Sequence, residues 1–98
     1  MHRYKSKVIV VTGAGGGIGR ASAIRFASEG GSVLAVDFQG EALSETVQTV
    51  KDAGGDIHGV QSDVGDAEQV QQYLEKCVSV FGGVDVLFNN AGIVGGIG

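Results

Sequence analysis

Five glycines lie within residues 13–19, directly after an apolar run that ends at Thr12. The apolar spacing that follows, beginning at Ile18, predicts a helix. A strand that turns through glycines into a helix presents backbone N–H groups at the positive end of the helix dipole, which favours an anion. Glycine also lets a phosphate approach the backbone closely and permits positive φ. The stretch therefore predicts a phosphate-binding turn, and its structural alternative is an ordinary loop.

The spacing of these glycines separates several classes of nucleotide site. The NTP-binding loop ends in Gly-Lys-Ser/Thr, whereas Arg20 follows the last glycine here. The common dinucleotide pattern GxGxxG requires a third glycine where this chain has Ile18. A GxGxG pattern like that of adenosylmethionine-dependent methyltransferases is present, but Val11 occupies the place of their usual acidic residue. That third class is therefore disfavoured.

The pattern that fits is TGxxxGIG, formed by Thr12, Gly13, Gly17, Ile18 and Gly19. With this motif the sequence resembles the short-chain dehydrogenase/reductase family. The resemblance implies a Rossmann-type fold, a nicotinamide dinucleotide cofactor and hydride transfer between NAD(H) and an alcohol or ketone. It also implies a homo-oligomer. The alternative function is a stand-alone dinucleotide-binding module without catalysis.

Asp37 ends the second predicted strand, where a carboxylate can accept hydrogen bonds from both hydroxyls of an adenine ribose. A 2′-phosphate there would meet like charge, at a cost of about 4 kcal/mol per charge pair at 4 Å and an effective dielectric of about 20. No base stands at the neighbouring glycines, Phe38 or Gln39, and we expect Arg20 to point along its helix into solvent. NAD is therefore favoured over NADP. The structural alternative for Asp37 is a turn residue.

Two later segments extend the resemblance. In the family, an aspartate at the position of Asp63 contacts the adenine amino group, and the backbone of the next residue, here Val64, contacts the ring. The alternative is that Asp63 only helps to start the following helix. Residues 89–92 match the family's NNAG motif, in which Asn89 is the structural member. The predicted cofactor contacts are Gly13, Gly16, Gly17, Ile18, Gly19, Asp37, Phe38, Asp63, Val64, Asn90, Ala91 and Gly92.

No catalytic residue is assigned within these 98 residues. The family's serine and its Tyr-x-x-x-Lys pair follow NNAG. Tyr4 and Tyr73 are followed four places on by Val8 and Cys77 instead of lysine. The resemblance therefore covers cofactor binding, and the acid–base groups are expected outside this chain.

The elements that must position these residues form an α/β, doubly wound parallel sheet. Strands are predicted at 7–12, Ser32–Asp37, Asp56–Gln61 and 84–89, with helices near 18–29 and 41–53. A third helix begins after Asp66, which forms a capping-box pattern with Gln69. The predicted strand order is 3-2-1-4, with two crossovers on one face and the third on the other. Gly59 places the third strand at an edge.

Composition limits the remaining possibilities. The net charge of −4 has no basic cluster to favour nucleic acid or a membrane surface. One cysteine, Cys77, agrees with a reducing compartment and a cytoplasmic location, and two histidines make a metal cluster improbable. We expect residues 1–98 to form one NAD-binding domain. The apolar fourth strand has no following strand to pair with, which favours the N-terminal part of a longer protein.

Overall fold

A computed structural model describes residues 4–63 and 65–90 of the chain. The elements alternate along the sequence: β1 (Val8–Thr12), α1 (Gly17–Ser28), β2 (Ser32–Asp37), α2 (Gly40–Asp52), β3 (Asp56–Gln61), α3 (Ala67–Phe81) and β4 (Val86–Asn89). All pairings in this sheet are parallel, and the strand order is β3-β2-β1-β4. The doubly wound fold predicted from the sequence is confirmed.

The sheet core explains why β1 and β2 show no polar alternation. Every residue of β1 is buried, and so are the four central residues of β2. Helices α1 and α2 cover one face through Ala23, Leu43 and Val50, while α3 covers the other through Tyr73 and Cys77. A strand buried on both faces is a nearly continuous apolar run, and the one polar residue of β1, Thr12, lies at its end. The helix positions confirm the predicted crossovers.

Strand β4 begins two residues later than predicted. The Asp85 N–H donates to the Val8 carbonyl at 2.9 Å, and Asp85 Oδ2 accepts from the Val8 N–H at 2.8 Å. The side chain therefore satisfies the backbone donor that a longer strand would otherwise have paired. The residues just before Asp85 form the connection from α3, which ends at Gly82 with a φ of 88° in the left-handed region.

The N-cap of α3 confirms one half of the capping-box prediction and corrects the other. Asp66 Oδ1 accepts from the N–H groups of Glu68 and Gln69, at 2.9 and 3.4 Å. Gln69 does not reach back to the Asp66 N–H. Its Oε1 accepts instead from the Asp63 N–H at 2.7 Å and from the Ser62 hydroxyl at 3.2 Å. The Gln69 side chain therefore connects α3 to the two residues that follow β3.

Candidate functional site

The glycine turn leaves the first turn of α1 open to an anion. Gly16 is the N-cap of α1, no side chain caps it, and the first turn carries no acidic residue. A Cβ added at Gly16 or at Gly17 would meet no atom within 4 Å, so the space over these backbone groups is open. Gly17 has a φ of 55°, which glycine adopts without strain. This arrangement fits a diphosphate bound by backbone amides.

Gly19 serves the close packing of the turn against its helix. A Cβ there would lie 1.9 Å from the Gly13 carbonyl oxygen and 2.9 Å from Asn90 Nδ2. Asn90 Nδ2 in turn donates to that same Gly13 oxygen at 3.4 Å. Three of the predicted site residues, Gly13, Gly19 and Asn90, are thus brought together where β1 and β4 end.

Asn89 joins the two central strands, as predicted for the structural member of its motif. Its Oδ1 accepts from the Thr12 hydroxyl at 3.0 Å, and the two residues are register partners in the β1–β4 ladder. This contact fixes the carboxyl ends of both strands next to each other. The strand order changes direction at this point, and such a point is where open α/β sheets bind ligands.

Asp37 lies beside the glycine turn and holds part of it. Its Oδ2 accepts from the Gly15 N–H at 2.8 Å, and its Oδ1 accepts from the Gln39 N–H at 2.9 Å. A carboxylate offers about four lone-pair positions, so two backbone donors do not exhaust it. The Gln39 contact makes Asp37 a turn residue, which was the structural alternative. The Gly15 contact also places its charge at the proposed nucleotide end of the sheet.

Two apolar side chains near this end of the sheet are exposed to solvent. Ile18, in the first turn of α1, is 66% exposed, and Phe38, directly after β2, is 67% exposed. Single exposed apolar side chains are ordinary on protein surfaces, so their exposure alone does not identify a binding site. The predicted contacts of Ile18 and Phe38 with a nucleotide stay predictions.

Asp63 takes part in the entry to α3. Its Oδ1 accepts from the Gly65 N–H at 2.9 Å, and its carbonyl accepts from the Asp66 N–H at 3.2 Å. The predicted contact between Asp63 and an adenine stays a prediction. Val64, Ala91 and Gly92, which are also predicted site residues, lie outside the described residues.

The prediction that Arg20 points into solvent is wrong. Its Nη2 donates to the Gly15 carbonyl at 2.7 Å and to the Ala42 carbonyl at 3.0 Å, while its Nε donates to Thr46 Oγ1 at 2.9 Å. The guanidinium is held between the glycine turn, which supplies the Gly15 carbonyl, and α2, which supplies Ala42 and Thr46. Thr46 itself is fully buried, and its hydroxyl donates to the Ala14 carbonyl at 2.7 Å.

Gly15, Arg20 and Thr46 were not among the predicted site residues. A signal for Thr46 was present in the sequence, because it shares the apolar face of α2 with Leu43 and Val50. A hydroxyl on a buried face must find a hydrogen-bond partner. That partner cannot be identified without the packing of α2 against the glycine turn.

Across the described ranges 4–63 and 65–90, none of the helices combines the length and the apolar character needed to span a bilayer.

Comparison with known proteins agrees with this geometry. The chain is 42% identical over 91 residues to an uncharacterized oxidoreductase of Thermotoga maritima, covering 93% of this chain and 36% of that protein. It is 38% identical over 95 residues to levodione reductase of Leifsonia aquatica, covering 95% of this chain and 36% of the reductase. The chain thus spans about a third of the length of these curated relatives.

The fold is shared with a solved structure of a short chain dehydrogenase/reductase from Burkholderia phymatum in complex with NAD. The TM-score is 0.84 at 40% sequence identity, covering 89% of this chain and 31% of that one. The profile of the short chain dehydrogenase family matches residues 7–97. With the strand order, the glycine turn and this match in agreement, the chain belongs to the short-chain dehydrogenase/reductase family.

Proposed function

We propose that this chain is the NAD-binding part of an oxidoreductase that transfers hydride between NAD(H) and a small alcohol or ketone. The observation that carries the proposal is the position of the Asp37 carboxylate, 2.8 Å from the Gly15 amide nitrogen. It puts a negative charge next to the glycine turn, where the start of α1 has no side-chain cap. The Burkholderia phymatum relative is described in complex with NAD, which supports the same class of cofactor.

Each part of the site has a separate task in this proposal. The backbone of Gly16, Gly17 and Ile18 holds the diphosphate through N–H groups at the start of α1. Asp37 accepts hydrogen bonds from the adenine ribose and repels a 2′-phosphate, which favours NAD over NADP. The exposed Phe38 side chain covers one side of the adenosine. The nicotinamide ring of the cofactor, when bound, would carry the hydride.

The remaining predicted contacts complete the cofactor site. Asp63 and Val64 are assigned to the adenine, and Asn90, Ala91 and Gly92 to the adenosine and nicotinamide-ribose side of the cofactor. Gly13 and Gly19 contribute by letting the turn and the helix approach each other. These residues bind and orient the cofactor, and none of them transfers a proton. Self-association and a cytoplasmic location of the intact protein belong to the same proposal.

The test is the substitution Asp37→Ala, with dissociation constants for NADH and NADPH measured by calorimetry. We expect the wild-type chain to prefer NADH, and the preference to fall by about tenfold or more in the variant. Two charge-assisted hydrogen bonds, each contributing about 1.5–3 kcal/mol, are lost together with the like-charge repulsion. Asp56→Ala is the matched control, because it removes the same charge at the start of β3, where Asp56 accepts from the Ser32 hydroxyl.

An absent preference in the wild-type chain, or an unchanged preference in folded Asp37→Ala, would contradict the proposal. Adenosylmethionine is titrated in the same series. Tighter binding of adenosylmethionine than of NADH would favour a methyltransferase instead. Hydride transfer is tested separately, by following NADH absorbance with small ketones and the intact protein. Cofactor binding without any such activity would favour the non-catalytic binding module.

A further inference from the structure

Two oppositely charged side chains hold the two polar groups of one residue in the glycine turn. The Gly15 N–H donates to Asp37 Oδ2 at 2.8 Å, and the Gly15 carbonyl accepts from Arg20 Nη2 at 2.7 Å. The peptide groups on both sides of the Gly15 Cα are therefore fixed in direction. Losing the Arg20 contact would release the Gly15 carbonyl and leave the Asp37 contact as the remaining one of these two.

Arg20 is itself held on the side away from Gly15. Its guanidinium donates to the Ala42 carbonyl and to Thr46 Oγ1, and it lies 3.8 Å from Glu45 Oε1. The side chain is only about one-third exposed, at 33%. The planar guanidinium can satisfy several acceptors in fixed directions at once, which a lysine ammonium cannot. Arg20 thus joins the turn to α2 through a rigid group.

Thr46 extends this connection into the core. Its Oγ1 accepts from Arg20 Nε at 2.9 Å and donates to the Ala14 carbonyl at 2.7 Å. Ala14 precedes Gly15 and is fully buried, and its N–H donates to the Val36 carbonyl at 3.1 Å. The residues on either side of the Ala14–Gly15 peptide bond are therefore fastened to α2 and β2.

We propose that Arg20 is a positioning residue for cofactor selectivity. By holding the Gly15 carbonyl it keeps the Gly15 N–H directed at Asp37, and this fixes the carboxylate that faces the ribose. Because its Nε and Nη2 already donate to Thr46, Gly15 and Ala42, we assign Arg20 to holding the turn and not to binding a 2′-phosphate. This inference rests on the proposed function, because it concerns how Asp37 selects between NADH and NADPH.

The sign of the change in selectivity tests the proposal. If Arg20 positions Asp37, Arg20→Met weakens NADH binding more than NADPH binding, and the preference for NADH falls. If Arg20 were a ligand of a 2′-phosphate, its loss would weaken NADPH more, and the preference would rise. A residue with a purely structural role would lower the thermal unfolding midpoint while leaving the ratio of the two affinities unchanged.

The experiment measures both dissociation constants by calorimetry for wild type, Arg20→Met, Arg20→Lys, Thr46→Val and Asp37→Ala, corrected for the folded fraction. We expect Arg20→Met to reduce the NADH preference by about tenfold, equivalent to about 1.4 kcal/mol. Arg20→Lys should recover part of this loss, and Thr46→Val should shift the ratio in the same direction by less. Arg25→Met is the control, since it removes the same charge from the same helix, where Arg25 pairs with Glu29.

The affinity ratios of the Arg20 and Asp37 variants distinguish a failure of the role of Arg20 from a failure of the proposed function. A ratio in Arg20→Met equal to or above that of wild type, with the preference lost in Asp37→Ala, overturns the role of Arg20 alone. A wild-type chain without any NADH preference overturns both. If Arg20→Met does not fold, Arg20→Lys and Thr46→Val decide the question, and wild-type ratios in both would contradict the proposal.

Discussion

A side-chain carbon at Gly15 would lie 2.8 Å from Asp37 Oδ2 and 3.0 Å from the Ala42 Cβ. The turn therefore fits between β2 and α2 in this arrangement because residue 15 has no side chain. The same closeness places the Gly15 N–H within hydrogen-bond distance of the carboxylate. The close approach of Gly15 to Asp37 thus explains both the lack of room for a side chain and the hydrogen bond to the carboxylate.

Gly15→Ala is expected to lower the free energy of unfolding by about 1–3 kcal/mol, because Asp37 or α2 must shift to make room. Urea denaturation monitored by circular dichroism measures the change. Gly16→Ala is the matched control for stability, since a Cβ there meets nothing within 4 Å and its φ of −171° is ordinary extended backbone. Equal stability of the two variants would contradict the prediction.

Gly19→Ala should be more damaging than Gly15→Ala. The added carbon would lie 1.9 Å from the Gly13 carbonyl oxygen, which belongs to the backbone and cannot rotate away. We expect either a loss of cooperative unfolding or a destabilisation of more than about 3 kcal/mol. Gly83→Ala, where a Cβ would meet nothing within 4 Å, controls for the general effect of replacing glycine. A sharp, near-wild-type transition for Gly19→Ala would show that the turn can relax.

Asp66→Ala should destabilise the chain by about 1 kcal/mol, because the N–H groups of Glu68 and Gln69 lose their acceptor. Asp66→Asn should retain most of the stability, since an amide oxygen can accept the same hydrogen bonds. Thermal unfolding of the three proteins provides the comparison. Glu68→Ala, in the first turn of α3, is a control for loss of negative charge near the helix start. A cost for Glu68→Ala equal to that for Asp66→Ala would assign the effect to charge instead of capping.

Burial raises the pKa of the Cys77 thiol above its ordinary range. The unfolded chain then loses this proton at a lower pH than the folded chain does. Stability is therefore fully present below the unfolded thiol pKa of about 8.5 and decreases as pH rises through the folded value. Urea denaturation between pH 7 and pH 10 should show this alkaline decrease.

Cys77→Ala should be less stable at neutral pH and should lose less stability as pH rises above the unfolded thiol pKa. Burial raises the pKa of Tyr73 as well, whose ordinary value is about 10. Tyr73→Phe should therefore alter the decrease only at higher pH. An identical slope near pH 9 in wild type and Cys77→Ala would show that another group controls it.

The sequence was sufficient for the fold because its local signals agree with one another. β2 and β3 occupy the predicted ranges Ser32–Asp37 and Asp56–Gln61. Uninterrupted apolar runs identified the buried strands, and Gly59 correctly indicated the edge position of β3. These features depend on hydrophobic periodicity and turn residues, both of which are visible in a single chain.

The contacts within the candidate site were less accessible to prediction. Arg20 on α1 meets Thr46 on α2, and Gln69 meets Asp63 across the entry to α3. Each contact joins residues whose separation depends on how elements pack or how a loop folds. Hydrophobic periodicity predicts which face of a helix a residue lies on, but it does not predict its hydrogen-bond partner. Long polar side chains can reach several different partners. The sequence therefore nominated the glycine turn and Asp37 as candidate site residues, but it did not predict the hydrogen bonds from Arg20 and Thr46 that hold this turn.

Gly15 is buried, and its carbonyl and its amide are bound by Arg20 and Asp37. The conformational entropy of this part of the turn is consequently lost during folding and not during recognition. A dinucleotide that docks on such a pre-organised turn does not have to order it, so less of the contact energy is offset. Loosening the turn should shorten the residence time of the bound nucleotide more than it slows association.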